Sequence, residues 1–318
     1  MNVMPSTIRV SIASASILGF KNLKYDFEIK TIYLLVKGKC LRDCKYCTQA
    51  KSSKANEKFL SRVIWPEYDL NEVINRILEK KEFIERICLQ TVNNRYTKDV
   101  IFEILKNLGK EIKISISINT NSLSFLKEIF NLNADRVGFP IDVANEKLYK
   151  KLRGGDFNKK LKFILKAGHY FENKISTHII VGLGESDKDI LSLYKTFIDN
   201  KITVAIFSFT PVEGTSLENR PPPSLVRYRK IQIATKLIEN GYDNSCFEFD
   251  EDGNIKRLPD ISFELFKKLN PFTTRGCPYC TRPFYNERPK GDLYNYPFQL
   301  SEEDFEKEFE FLKKNSII

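Results

Sequence analysis

Apolar and polar residues change rhythm along the chain. Six short runs rich in β-branched residues read as strands: residues 31–36, 84–90, 112–119, 136–141, 175–181 and 203–209. Helical patterns separate them. One begins at Asp69, a good N-cap, and places Val73, Ile74, Ile77 and Leu78 on one face. Another begins near Thr97 and aligns Ile101, Ile104, Leu105 and Leu108. A third follows Ser186, with Asp189 three residues on in a variant of the capping box. Strand–helix alternation of this kind predicts an α/β fold, a parallel sheet with helices outside that forms a partial or full (βα) barrel.

The strand faces carry a second message, because side chains alternate across a strand. Ile112, Ile114, Ile116 and Ile118 share one face, and Ser115, Ser117 and Asn119 share the other. Ser176 and His178 likewise oppose Ile175, Thr177 and Ile179, and Cys88 and Gln90 oppose Ile87 and Leu89. A filled barrel core would carry bulky aliphatics inside. Helices must cover the aliphatic face here, so the polar face predicts a lumen that holds a ligand. Ser115, Ser117, Asn119 and His178 are candidate substrate residues.

The pattern changes after residue 242. Residues 244–260 read as a hairpin around Glu251-Asp252-Gly253-Asn254, and residues 270–297 are rich in proline, tyrosine and arginine. A closing helix begins at Ser301, with Glu302 and Glu303 favourably placed in its first turn. The organisation expected is an N-terminal extension (1–30), a barrel core (31–245) and a C-terminal extension carrying a second metal site (246–318).

Composition narrows the class. Of 318 residues, 42% are hydrophobic and 29% charged, which suits a globular protein with a substantial core. No apolar run approaches the ~20 residues of a membrane span, and the first segment lacks a basic leader. A cytoplasmic protein is expected, and there clustered cysteines serve more often as metal ligands or catalytic thiols than as disulfides. The net charge of +10 is spread over scattered lysines. It suits either a solvated surface or an acidic carrier domain. No RNA-binding module is recognisable, and nucleic acid is not expected as a partner.

The chemistry begins in Lys39-Cys40-Leu41-Arg42-Asp43-Cys44-Lys45-Tyr46-Cys47, directly after the first strand. Three thiolates on one loop can bind three irons of a cubane cluster and leave the fourth open. An open metal position is what a catalytic site needs. No fourth His or Cys follows closely, as a structural zinc would require. This spacing, with an aromatic before the third cysteine, resembles the signature of the radical S-adenosylmethionine (SAM) superfamily. The resemblance implies a 4Fe–4S cluster on Cys40, Cys44 and Cys47, SAM chelated at the open iron, and a 5′-deoxyadenosyl radical that abstracts hydrogen. Residues 30–245 resemble the biotin synthase-like branch. Ile179-Ile180-Val181-Gly182-Leu183-Gly184-Glu185 matches the segment that packs against SAM there. The resemblance thus places Tyr46, Gly182, Gly184 and Glu185 at the cofactor. Asp142 falls where those proteins hold the SAM ribose, and capping the following helix is its competing role. The usual GGE-like segment is replaced by Leu89-Gln90-Thr91.

Cys277-Pro278-Tyr279-Cys280 is ambiguous by itself: a second iron–sulfur cluster that also takes Cys246, a zinc site, or a redox pair. Cys88 reads as a core cysteine facing the lumen. Biotin synthase holds its second cluster through thiolates on several strands, and Ser115 and Ser176 stand at two matching positions here, which argues against that activity. The segment RGCPYCTRPFYNERPKGDLYNYP instead resembles the two-component lipoyl synthases, pairs of radical SAM proteins that act together. This implies an octanoyl-lysine carrier domain as substrate and a second cluster on Cys246, Cys277 and Cys280 as sulfur donor. It also implies two partners, a second radical SAM lipoyl synthase protein and a reduced ferredoxin-like electron donor. The alternatives are another radical SAM reaction, biotin synthase-like or RNA-modifying, and a non-catalytic iron–sulfur electron carrier.

Overall fold

A computed structural model describes residues 5–283, 285–287 and 291–318. Phe284 and residues 288–290 of the C-terminal motif lie outside the described residues. Strands run in chain order as β1 (Thr7–Val10), β2 (Thr31–Leu35), β3 (Phe59–Leu60), β4 (Val63–Ile64), β5 (Glu67–Asp69), β6 (Arg86–Gln90), β7 (Lys113–Ser117), β8 (Ala134–Asp142), β9 (Ile175–Val181), β10 (Thr203–Ser208), β11 (Glu248–Phe249) and β12 (Ile255–Arg257). Eight of them form one sheet in the order β10-β9-β8-β7-β6-β2-β1-β5. The six from β2 through β10 pair in parallel. β1 pairs antiparallel with both β2 and β5. Among the described residues β5 and β10 are not paired with each other, so the sheet is a partial barrel.

The aliphatic faces explain the layering. Ile87, Leu89, Ile114, Ile116, Val137, Ile179 and Ile206 are buried, as are Val73, Ile77, Ile101 and Ile104 of the covering helices. The expected caps are present. Asp69 accepts from Glu72 N ahead of helix Leu70–Glu79, and Ser186 and Asp189 form a reciprocal capping box. The first 30 residues do more than extend the barrel: β1 lies inside the sheet, and Ser14 accepts a hydrogen bond from Tyr33 N of β2.

The expected hairpin is β11–β12, and it packs on the outer helices: Lys188 N donates to Gly253 O, and Ile255 N donates to Asp187. Helix Glu302–Lys314 follows the expected cap at Ser301. Buried Arg229 of helix Leu225–Glu239 pairs with Glu308 of that helix at 2.7 Å and donates to the carbonyls of Leu293 and Tyr294. With Gln232 Oε1 and both oxygens of Glu308, five acceptor atoms satisfy one buried guanidinium, which offsets its desolvation. This fixes the C-terminal segment against the barrel. Among the described residues no helix is long and apolar enough to cross a membrane.

Candidate active site

Three elements meet at the carboxyl ends of the parallel strands. The loop after β2 carries Cys40, Cys44 and Cys47. It is held by Leu41 N to Asn93 O, Lys45 N to Leu152 O and Lys51 N to Arg42 O, all at 2.7–2.8 Å. Burial pushes the Cys47 thiol up to about 12, with Cys44 and Cys40 adding to it, and burial raises Cys44 as well. Thiols held neutral in this way become ligands when a metal displaces their protons.

The second element is the end of β8. Its pairing with β9 shifts between Pro140 and Asp142, and Asp142 has φ +61°. A bulge re-aims a side chain, and here it turns a fully buried carboxylate toward the cysteine loop. Tyr46 Oη and Arg153 Nη1 both donate to Asp142 Oδ2, and Arg153 Nη1 also donates to Tyr46 Oη at 2.9 Å. The same guanidinium nitrogen is 3.7 Å from Cys44 Sγ. His178 Nε2 is 2.6 Å from Asp142 Oδ1, without the alignment of a hydrogen bond. Burial works against the charged carboxylate, but Arg153 and His178 win and hold its pKa below the usual carboxylate range. Asn145 caps helix Glu146–Leu152, so Asp142 is not its N-cap.

The third element is the turn after β9. Gly182 has φ +105°, and a Cβ there would lie 2.8 Å from Pro223, so the close approach requires glycine. Gly184 is also left-handed, at φ +116°. Glu185 accepts from Gly182 N at 2.7 Å, and its Oε2 is buried without a partner.

The residues fit a cluster with SAM on its open iron. Arg42 Nε, Arg153 Nε and Asp142 Oδ1 are buried without hydrogen-bond partners among the described residues. Two unmatched guanidinium N–H groups and a carboxylate oxygen approached only by His178 complement the carboxylate and the hydroxyls of SAM. Lys160 lies near both arginines and donates to Thr120 O at 3.1 Å. It is 4% exposed, and burial and the charges of Arg153 and Arg42 push its pKa down to about 7. Sequence reasoning missed Arg153, Arg42 and Lys160. Their signal was weak: an arginine eleven residues after Asp142 reads as one more helix-end cation. Arg153→Gln is expected to weaken SAM binding by roughly 10–100-fold, since a charge-assisted hydrogen bond contributes about 1.5–3 kcal/mol. Titration of SAM into anaerobically reconstituted protein checks this, and unchanged affinity contradicts it.

A second thiol group sits at the opposite end of the lumen. The loop around Cys277 and Cys280 enters the barrel floor. Thr31 donates to Tyr279 O at 2.6 Å, and Arg86 donates to Pro278 O at 3.1 Å. Ser115 donates to Cys277 Sγ at 3.3 Å, and Tyr33 Oη is 3.7 Å from Cys280 Sγ. Burial raises the Cys88 thiol, and Cys277 and Cys280 are the neighbours that raise it further. The expected trio thus requires correction. Cys246 is exposed on the turn Asn244–Cys246, leading into the hairpin outside the helices, whereas Cys88 on β6 faces the pair.

Ser115 also departs from expectation. It is 4% exposed, and its hydroxyl is fixed between Arg86 Nη1 at 2.6 Å and Cys277, which leaves it with the floor thiols. Ser117, Asn119 and His178 remain partly exposed. Among the described residues no three His, Cys, Asp or Glu side chains converge as the ligands of a single ion; a cubane instead gives each thiolate its own iron.

Strand register relates the two sites. His178 lies opposite Pro140, Ser176 opposite Gly138, Gly138 opposite Ser117, and Ser115 opposite Cys88. Counted in register, His178 and Cys88 are thus four residues apart along the strands. The layer between holds Gln90, Ser117, Gly138 and Ser176.

Comparison with known proteins agrees with this geometry. The family model described as the radical SAM superfamily matches residues 34–197, more than half of the chain. An uncharacterized protein of Methanocaldococcus jannaschii is 26% identical over 49% of this chain and 42% of its own length. A biotin synthase of Prochlorococcus marinus is 24% identical over 68% of this chain and 65% of its own. The chain therefore spans less than two thirds of either relative. The FeFe-hydrogenase maturase HydG from Carboxydothermus hydrogenoformans shares the fold with a TM-score of 0.52 and 14% identity, covering 90% of this chain and 66% of that one. With the cysteine loop, the buried Asp142–Arg153 pair and the glycine turn at one end of a parallel sheet, the chain belongs to the radical SAM superfamily.

Proposed function

We propose that the protein is a sulfur-insertion enzyme, one component of a two-protein lipoyl synthase acting on an octanoyl-lysine carrier domain. The observation that carries this reading is the second thiol group, Cys88, Cys277 and Cys280, across the lumen from the SAM loop. Cys88 replaces Cys246 in the ligand set of the sulfur-donating second cluster. Bound at Cys40, Cys44 and Cys47, the first cluster with SAM supplies the one-electron chemistry that opens an unactivated C–H bond.

The chain's own residues do the rest. Arg153, Arg42 and Asp142 hold SAM beside the glycine turn after β9. Ser117, Asn119 and His178 border the space between the two thiol groups, where an acyl chain would lie. A saturated chain offers no acidic proton or leaving group, so positioning and exclusion of water are the protein's tasks. The +10 charge suits docking of an acidic carrier domain at the barrel mouth, with a ferredoxin-like protein as reductant. The test is mass spectrometry of an octanoylated carrier peptide after reductive incubation with SAM, with and without a partner radical SAM protein. Sulfur in place of hydrogen on the octanoyl chain supports the assignment. SAM cleavage with an unchanged peptide in both incubations contradicts it.

A further inference from the structure

The floor of the lumen holds hydrogen-bond donors that no acceptor among the described residues receives. Arg282 Nε, Arg282 Nη1 and Tyr285 Oη are buried and have no hydrogen-bond partner among the described residues. Tyr285 as a residue is 8% exposed. Both side chains lie within electrostatic reach of Cys88 and Cys280. Arg282 is fixed in place. Its Nη2 donates to Arg275 O at 2.7 Å, its guanidinium stacks on Phe207 at 3.9 Å, and its own N donates to Tyr33 Oη at 2.9 Å. Its backbone is left-handed, with φ +42°, a strained conformation held by those three contacts. The neighbouring carboxylate does not neutralise it by contact. Glu287 spends its oxygens on the amides of Tyr294, Asn295 and Asn286.

A buried cation and a hydroxyl, all donors, beside two thiols describe a receptor for a small anion that accepts from several directions. Phe207 in turn touches His178, with ring centres 5.2 Å apart. The donors therefore lie where the floor thiols meet the substrate space. We propose that Arg282 and Tyr285 form a binding site for a small inorganic anion, hydrosulfide in the working protein, at the open iron of the floor cluster. The inference rests on Cys88, Cys277 and Cys280 as ligands of that cluster. Three thiolates leave one iron without a protein ligand. The donors would hold hydrosulfide there by hydrogen bonds, with no change of oxidation state.

The test uses protein in which Cys40, Cys44 and Cys47 are alanine, so that only the floor cluster assembles. After reconstitution and removal of free sulfide, sodium hydrosulfide is titrated while the reduced cluster is followed by electron paramagnetic resonance. A saturable spectral change is expected. The apparent affinity should fall roughly 10–100-fold in Arg282→Gln, the range for losing an outer partner of a metal site. A smaller loss is expected in Arg282→Lys and in Tyr285→Phe, which each keep part of the donor set. No spectral change, or equal affinity in all variants with full iron content, overturns the proposal and leaves the cluster assignment standing. Failure of the parent to take up any floor iron overturns both.

Discussion

Alanine at Cys40, Cys44 and Cys47 together is expected to abolish reductive SAM cleavage, with 5′-deoxyadenosine falling to the level seen without protein. The three thiols come from one loop, and removing them leaves the open iron and its SAM site without support. The floor group shares no ligand with that loop. The variant should therefore keep about one cluster's iron. Anaerobic reconstitution, iron analysis and chromatography of the nucleoside products check both halves. Undiminished SAM cleavage would falsify the assignment of the loop.

Alanine at Cys88, Cys277 and Cys280 is expected to give the opposite pattern: retained SAM cleavage, loss of about one cluster's iron, and no sulfur in the carrier product. Buried thiols whose pKa values are raised by burial, as at Cys88 and Cys280, bind metal only by releasing protons, and alanine cannot. The barrel should remain folded, because Arg86, Thr31 and Tyr33 grip the floor loop through its backbone. Cys246→Ala provides the contrast. Exposed and outside the helices, it should leave iron content and product unchanged. If the floor variant loses zinc with its iron intact, the site is structural and the sulfur comes from elsewhere.

Much of this architecture was legible in the sequence. The β9 run at residues 175–181 has the expected bounds, and the capping residues Asp69, Ser186 and Ser301 start the expected helices. Local signals suffice there, because caps and alternation act within a few residues. The loop of three cysteines was legible for the same reason. The nearness of Cys88 to Cys277 and Cys280 was not. Cys246 is nearer in sequence, but it lies outside the helix layer. Cys88 is almost two hundred residues away, and only the barrel topology brings it to the floor. Ser115 carried the right face but the wrong depth. Alternation tells which side a residue faces and says nothing of a distant loop that closes over it. Arg153 and Arg282 were hidden because a cation's significance lies in the acceptors it lacks, which no spacing reveals.

The central claim is that the floor thiols hold the cluster whose sulfur enters the product. The most direct measurement is a single turnover with protein reconstituted with heavy-isotope sulfide, freed of unbound sulfide, and supplied with an octanoylated carrier and light SAM. The heavy isotope should appear in the carrier product, and it should be absent when Cys88, Cys277 and Cys280 are alanine. Light sulfur in the product, or heavy sulfur transferred equally by the floor variant, would contradict the account.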